Sequence, residues 1–126
     1  MVDIEILFSV YGNGFSPSVA EEECGILFTS KIEPGTPLRN RGIKESPGEA
    51  KYKYGGKLID LDSPLPEFFG PVQKLVQCCR RQKPERMELW IYITYEAQCN
   101  LVLDPKFAEE LARIGLPVLI SVICLD

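Results

Sequence analysis

Apolar and polar positions along the chain fall into short stretches with either strand or helix spacing. Residues 4–11 alternate, with Ile4, Ile6, Phe8 and Val10 on one side and Glu5, Leu7, Ser9 and Tyr11 on the other. That period of two predicts a strand with one buried face. Gly12-Asn13-Gly14 interrupts it. Ser16-Pro17 then offers an N-cap followed by proline at the first helical position, and Gly25 offers a left-handed stop, so a short helix is expected over 17–24. Ile26-Leu27-Phe28 reads as a short strand. Residues 29–50 carry Pro34-Gly35, Pro37, Gly42 and Pro47-Gly48 and read as a long irregular loop. Lys51 to Asp62 reads as a hairpin turning at Gly55-Gly56.

A second helix is expected over 66–81, where Phe68, Val72, Leu75, Val76 and Cys79 recur at helical spacing and Pro84 follows. Met87 to Tyr95 is the clearest strand. Met87, Leu89, Ile91, Ile93 and Tyr95 face one way, and Glu88, Trp90, Tyr92 and Thr94 the other. A further strand is expected around 99–103. Asp104-Pro105 caps a third helix with Phe107, Ala108, Leu111 and Ile114 inward, and Gly115 stops it. Leu116 to Leu125 is apolar on both sides, which predicts a strand in the middle of the sheet. Residues 16–22 and 104–110 share a cap-Pro-x-apolar-Ala-Glu-Glu pattern, consistent with a strand-helix-strand unit occurring twice. The expected fold is a single α+β domain over 1–126. Its antiparallel or mixed sheet has five to six strands, with three helices mostly on one face, in the order β-α-β-β-α-β-β-α-β.

Composition narrows the chemistry. The 126 residues hold 45% apolar and 25% charged side chains, a globular balance that argues against disorder. The net charge is -4, the wrong sign for a dedicated nucleic-acid binder. Charge is uneven: residues 1–30 hold five acids and no base, and residues 31–57 hold seven bases and three acids. Histidine is absent, which removes the usual neutral-pH base, the Ser-His and Cys-His pairs and any His-ligated metal. The five cysteines include no C-x-x-C spacing. They read as reduced thiols in a reducing cytoplasm; Cys78 and Cys79 project roughly 100° apart on a helix, so one buried and one half-exposed thiol are expected. The start of the chain lacks a signal-peptide pattern, and its longest apolar stretch, about ten residues, is half of what spans a bilayer. No membrane association, metal or cofactor is expected.

Four motifs bear on function. Gly12-Asn13-Gly14-Phe15-Ser16-Pro17 stands where a dinucleotide fingerprint would, but Pro17 replaces the third glycine, so it reads as a turn. Asp60 and Asp62 would share a strand face; a solvated edge is the simpler reading than acid–base catalysis. Glu21-Glu22-Glu23 reads as a solvated helix face. Lys51-Tyr52-Lys53-Tyr54 places two tyrosines on one strand face and two lysines on the other. It serves as an ordinary hairpin, as a protein-binding patch together with Arg39 and Arg41, or as a stacking platform for bases. Trp90 and Tyr92 are core residues or, if their face is uncovered, anchors for a partner.

Together Val10-Tyr11-Gly12, Cys24-Gly25-Ile26, Gly35-Thr36, Leu58-Ile59, Leu89-Trp90-Ile91 and Ile114-Gly115-Leu116 resemble the bacterial domain-of-unknown-function family 4279. The resemblance spans nearly the whole chain. The family often has tryptophan before its middle helix, where this chain has Lys57-Leu58-Ile59. The resemblance implies a bacterial source and lends no catalytic residue. The leading expectation is therefore a non-enzymatic, cytoplasmic protein-binding protein, such as an immunity-type inhibitor that occludes a toxin or other effector. Its contact residues would be Arg39, Arg41, Lys51, Tyr52, Lys53, Tyr54, Trp90 and Tyr92, with no catalytic residues. The alternatives are a carboxylate-using enzyme or ligand binder with a cleft between Trp90, Tyr92 and the 29–50 loop, and a nucleic-acid module built on the Lys/Tyr hairpin.

Overall fold

The computed structural model describes residues 2–35 and 46–125. Five strands form one mixed sheet in the order β2-β3-β1-β4-β5, and three helices bury its core on one face. The central strand β1 (Val2–Gly12) runs antiparallel to β3 (Gly48–Lys53) on one side and to β4 (Arg86–Tyr95) on the other. The register sets Phe8 between Tyr52 and Leu89, and aligns Ile4 with Ile93 and Ile6 with Ile91. The alternation read from residues 4–11 thus becomes a buried stripe running across three strands.

Helix α2 (Pro66–Arg80) lies on that stripe with Phe68, Phe69, Val72, Leu75, Val76 and Cys79 buried. Its Phe68 ring meets Tyr52 at 6.0 Å, Tyr54 at 6.4 Å and Phe69 at 5.3 Å. Phe69 in turn meets Phe107 of α3 (Pro105–Ile114) edge-on at 5.4 Å. Such tilted and edge-on ring pairs add to the stabilisation given by buried area alone. Among the α3 residues expected inward, Phe107 and Ile114 are buried and Ala108 and Leu111 are half-buried.

The first helix, α1 (Pro17–Cys24), follows its sequence signals closely. Ser16 caps it, with Oγ accepting from Val19 N at 3.3 Å, and Gly25 ends it at φ 74. Gln82, just beyond α2, clamps the start: its Oε1 accepts from Ser16 N at 2.7 Å and its Nε2 donates to Ser16 O at 3.0 Å. Glu33 completes the anchor, accepting from Ser18 N at 2.8 Å, from Ser18 Oγ, and from Ser16 Oγ at 3.1 Å. A carboxylate on the unsatisfied amides of a helix N-terminus is well placed for both hydrogen bonding and the helix dipole.

Several expectations are corrected. Ile26-Leu27-Phe28 is not a strand, because Phe28 N donates to Glu21 Oε2 at 2.8 Å instead of to a ladder. Glu21 is accordingly buried, holding Phe28 and the ammonium of Lys31, and does not belong to a solvated face. The segment taken as a loop over 29–50 contains β2 (Ser30–Ile32) and the start of β3; residues 36–45 lie outside the described residues. No hairpin forms over 51–62. Lys53 pairs with Leu7 and Leu58 with Ile4, so the chain bulges at 54–57 and keeps following β1. Residues 99–103 make one isolated bridge, Leu103 to Leu61. The place beside β4 is taken by β5 (Val118–Cys124), which α3 delivers parallel to it.

That connection makes β4-α3-β5 a true crossover unit. After α1, by contrast, β2 pairs with β3 and not with β1, so the matching sequences mark similar helix caps and not a repeated unit. The final strand is an edge strand and not a central one. Cys78 is buried along with Cys79, because α1 packs beside α2 and covers it. Among the described residues no helix is long and apolar enough to cross a membrane.

Two consequences are measurable. Gly48 opposes Gly12 in the β1–β3 register, and a Cβ added at Gly48 would stand 1.7 Å from Phe15 O. Gly48→Ala is expected to destabilise the protein by at least the ~1–3 kcal/mol typical of overpacking, whereas at Gly55 nothing lies within 4 Å and Gly55→Ala should be well tolerated; urea unfolding of the two variants distinguishes them. Burial pushes the Glu33 carboxyl up, but hydrogen bonds from Ser18 and Ser16 and the charge of Lys31 outweigh it, leaving its pKa below the usual glutamate value. Its contribution to stability is therefore complete above the ordinary glutamate range and disappears as pH falls through the lower folded-state pKa. Melting temperatures from pH 7 down to pH 3 should fall less steeply in Glu33→Gln than in the wild type.

Candidate functional site

Because the helices occupy one face of the sheet, the odd-numbered residues of β1 and their neighbours form the other face. The pairing arranges these side chains in rows. Glu49, Tyr11 and Arg86 make one; Lys51, Ser9 and Glu88 the next; Lys53, Leu7 and Trp90 the third; Glu5 and Tyr92 the fourth. Positive and negative groups are therefore interspersed, with Glu49 in the row of Arg86 and Lys51 in the row of Glu88. Lys53 Nζ donates to Glu5 Oε1 at 3.0 Å, and Arg86 approaches Glu88 at 4.0 Å.

Trp90 and Tyr92 stack along β4, with ring centroids 5.5 Å apart and planes inclined by 8°. Both rings are half-buried. Leu7 lies on the same face yet is only 8% exposed; its cross-strand neighbours Lys53 and Trp90 roof it over. An indole and a phenol held parallel by a strand lose little freedom on contact with a partner, and they supply apolar area beside polar tips. Around them lies a concavity of about 220 Å³ reaching from Leu7 and Trp90 to Glu49 and Arg86.

The residues singled out in the sequence separate cleanly. Lys51, Lys53, Trp90 and Tyr92 come together on the open face. Tyr52 and Tyr54 turn to the helix face, where each contacts Phe68. Arg39 and Arg41 lie outside the described residues. Leu7, Ser9, Tyr11, Glu49, Arg86 and Glu88 join the patch without having been singled out. One signal for them was present: Leu7 is the one large aliphatic residue on the polar side of β1, opposite the equally anomalous Trp90.

Other clusters have less to offer chemically. A concavity of about 330 Å³ lies over the Gly55-Gly56 bulge, but its Lys53 and Glu5 are engaged with each other. Asp60 is half-buried with Oδ1 unpartnered, and Asp62 is exposed. Among the described residues no three acidic, cysteine or histidine side chains converge as a metal site would need. Cys24, Cys78 and Cys79 gather where α1 meets α2. No protein family, curated protein or solved structure matches this chain.

Burial, with the neighbouring Cys24, Cys78 and Glu23 adding to it, pushes the Cys79 thiol up to about 12. The reactive thiolate is therefore scarce at neutral pH. Iodoacetamide at pH 8 should leave Cys79 unmodified in the folded protein and label it once urea unfolds the chain, as read by peptide mass spectrometry.

Proposed function

We propose that the protein acts by binding another protein through the open face of its sheet. The observation that carries this reading is the Trp90–Tyr92 stack, half-exposed on a rigid strand, with Glu88 before it on β4, Glu5 and Lys53 on its β1 and β3 side and the uncharged Leu119 and Ser121 of β5 on the other. Aromatic anchors inside a polar rim are the usual arrangement of a protein interface. Interspersed charge favours a partner with its own mixed surface and sets the register of docking. A polyanion is a poorer fit, since Lys51, Lys53 and Arg86 are interspersed with Glu49, Glu5 and Glu88.

The finer reading is an immunity-type inhibitor that covers the working surface of a toxin or effector. It is supported by the acidic net charge and by a face that can occlude a partner without moving. Strand-borne side chains are already ordered, so association costs less conformational entropy than it would from a loop.

Trp90 is the sole tryptophan of the chain, so its fluorescence reports directly on this face. A partner captured from the native cell should shift its emission to shorter wavelength. Trp90→Ala should weaken binding by about 30-fold or more, the effect of a ~2 kcal/mol hot spot, with the far-ultraviolet circular dichroism unchanged. Equal affinity for the wild type and for Trp90→Ala combined with Lys51→Glu would place the contact elsewhere and remove the proposal.

A further inference from the structure

The two edges of the sheet are built differently. At one end, β2 has three residues, and its Lys31 is tied to Glu21. Short, charged edges resist pairing with other chains. At the other end, β5 has seven residues, and the stretch from Leu116 to Leu125 contains no charge in a chain that is 25% charged. Its apolar side chains project from both faces. Ile120 and Val122, on the helix side, are 59% and 56% exposed, and Ile123, on the open side, is 50% exposed. A strand apolar on both faces has the composition of a central strand, yet here it is the last in the row.

Its backbone is equally unfinished. Leu89 N donates to Pro117 O at 2.9 Å and Leu125 N donates to Tyr95 O at 2.8 Å. Odd-numbered residues of β5 thus turn their peptide groups towards β4, and Val118, Ile120, Val122 and Cys124 turn theirs outward.

We infer that β5 pairs antiparallel with the β5 of a second copy, giving a ten-stranded sheet about a two-fold axis beside Ser121. In that register Ile120 faces Val122 and Val118 faces Cys124. These are the residues whose peptide groups point outward, so each makes the hydrogen-bonded pair that an antiparallel ladder requires. Leu119 faces Ile123 and Ser121 faces itself in the intervening pairs. No residue meets its own charge across the axis, and the exposed Ile120 and Val122 of each copy flank those of the other. A second copy fits better than an open series of strands, because the blunt β2 edge offers no surface for continued growth, and pairing of like with like closes at two. The interface adjoins the Trp90 face, since Leu119 and Ser121 stand beside Trp90 and Tyr92 in the β4–β5 register, but the inference does not rest on the function proposed for that face.

Sedimentation velocity on the intact chain provides the test. The wild type should sediment at twice the 14.2 kDa chain mass. Val122→Lys puts two like charges across the axis and should weaken association by about 100-fold or more. Val122→Pro removes an outward N–H and spares the ladder to β4, so it should also yield monomers with unchanged circular dichroism. Should either variant fail to fold, Ser121→Cys with Cys99→Ser and Cys124→Ser decides: mild oxidation should join two copies, since a non-hydrogen-bonded pair brings Cα atoms to about 4.5 Å. A wild type that stays monomeric to about 1 mM, as it would if the edge awaits a strand from a different protein, overturns the inference. So does a dimer that survives Val122→Lys or that Ser121→Cys fails to cross-link.

Discussion

Every layer of the molecule is organised by the two-sidedness of β1. Its even-numbered residues supply the middle of the core, and its odd-numbered residues supply the middle of the open face. A shift of one residue in its pairing would send Phe8 into solvent and Glu5 towards Phe68, so the register is held by the burial of a whole stripe and not by any single bond. The aromatic sequence from Tyr52 through Phe68 and Phe69 to Phe107 locks the helices to that stripe. The open face is therefore the reverse of the core, and its geometry is as rigid as the core makes it.

Local signals were legible in the sequence wherever structure is decided locally. Ser16-Pro17 with Gly25, and Asp104-Pro105 with Gly115, announce α1 and α3 through capping chemistry that needs only neighbouring residues. The alternations of β1 and β4 and the helical spacing of α2 were equally plain. What failed was whatever depends on partners distant in the chain. Glu21 looked like one of three solvated acids until Phe28 and Lys31 folded back onto it. Gly55-Gly56 looked like a hairpin turn, but β1 accepts the chain on both sides of it.

The candidate site was half legible for the same reason. Period-two alternation correctly separated Lys51 and Lys53 from Tyr52 and Tyr54, but it could not say which pair would face the helices. Phe68 decides that, from another element. Trp90 and Tyr92 were visible as unusual residues on the polar side of β4. Their neighbours Leu7, Glu49 and Glu88 arrive through register alone, and register is set by the sum of cross-strand pairs. Leu116 to Leu125 shows the opposite case: the composition pointed to a central position that a single chain does not provide.

The order of strands in space also governs the order of events during synthesis. Val2 of β1 pairs with Tyr95 of β4, while the nearer partner β3 begins only at Gly48. As the ribosome extends the chain, the Ile4–Val10 stripe emerges long before anything exists to cover it. Contacts of such wide sequence separation slow folding and leave apolar segments open to misassociation in the meantime. The inner face of β1 therefore stays uncovered in the growing chain until β4 clears the exit tunnel.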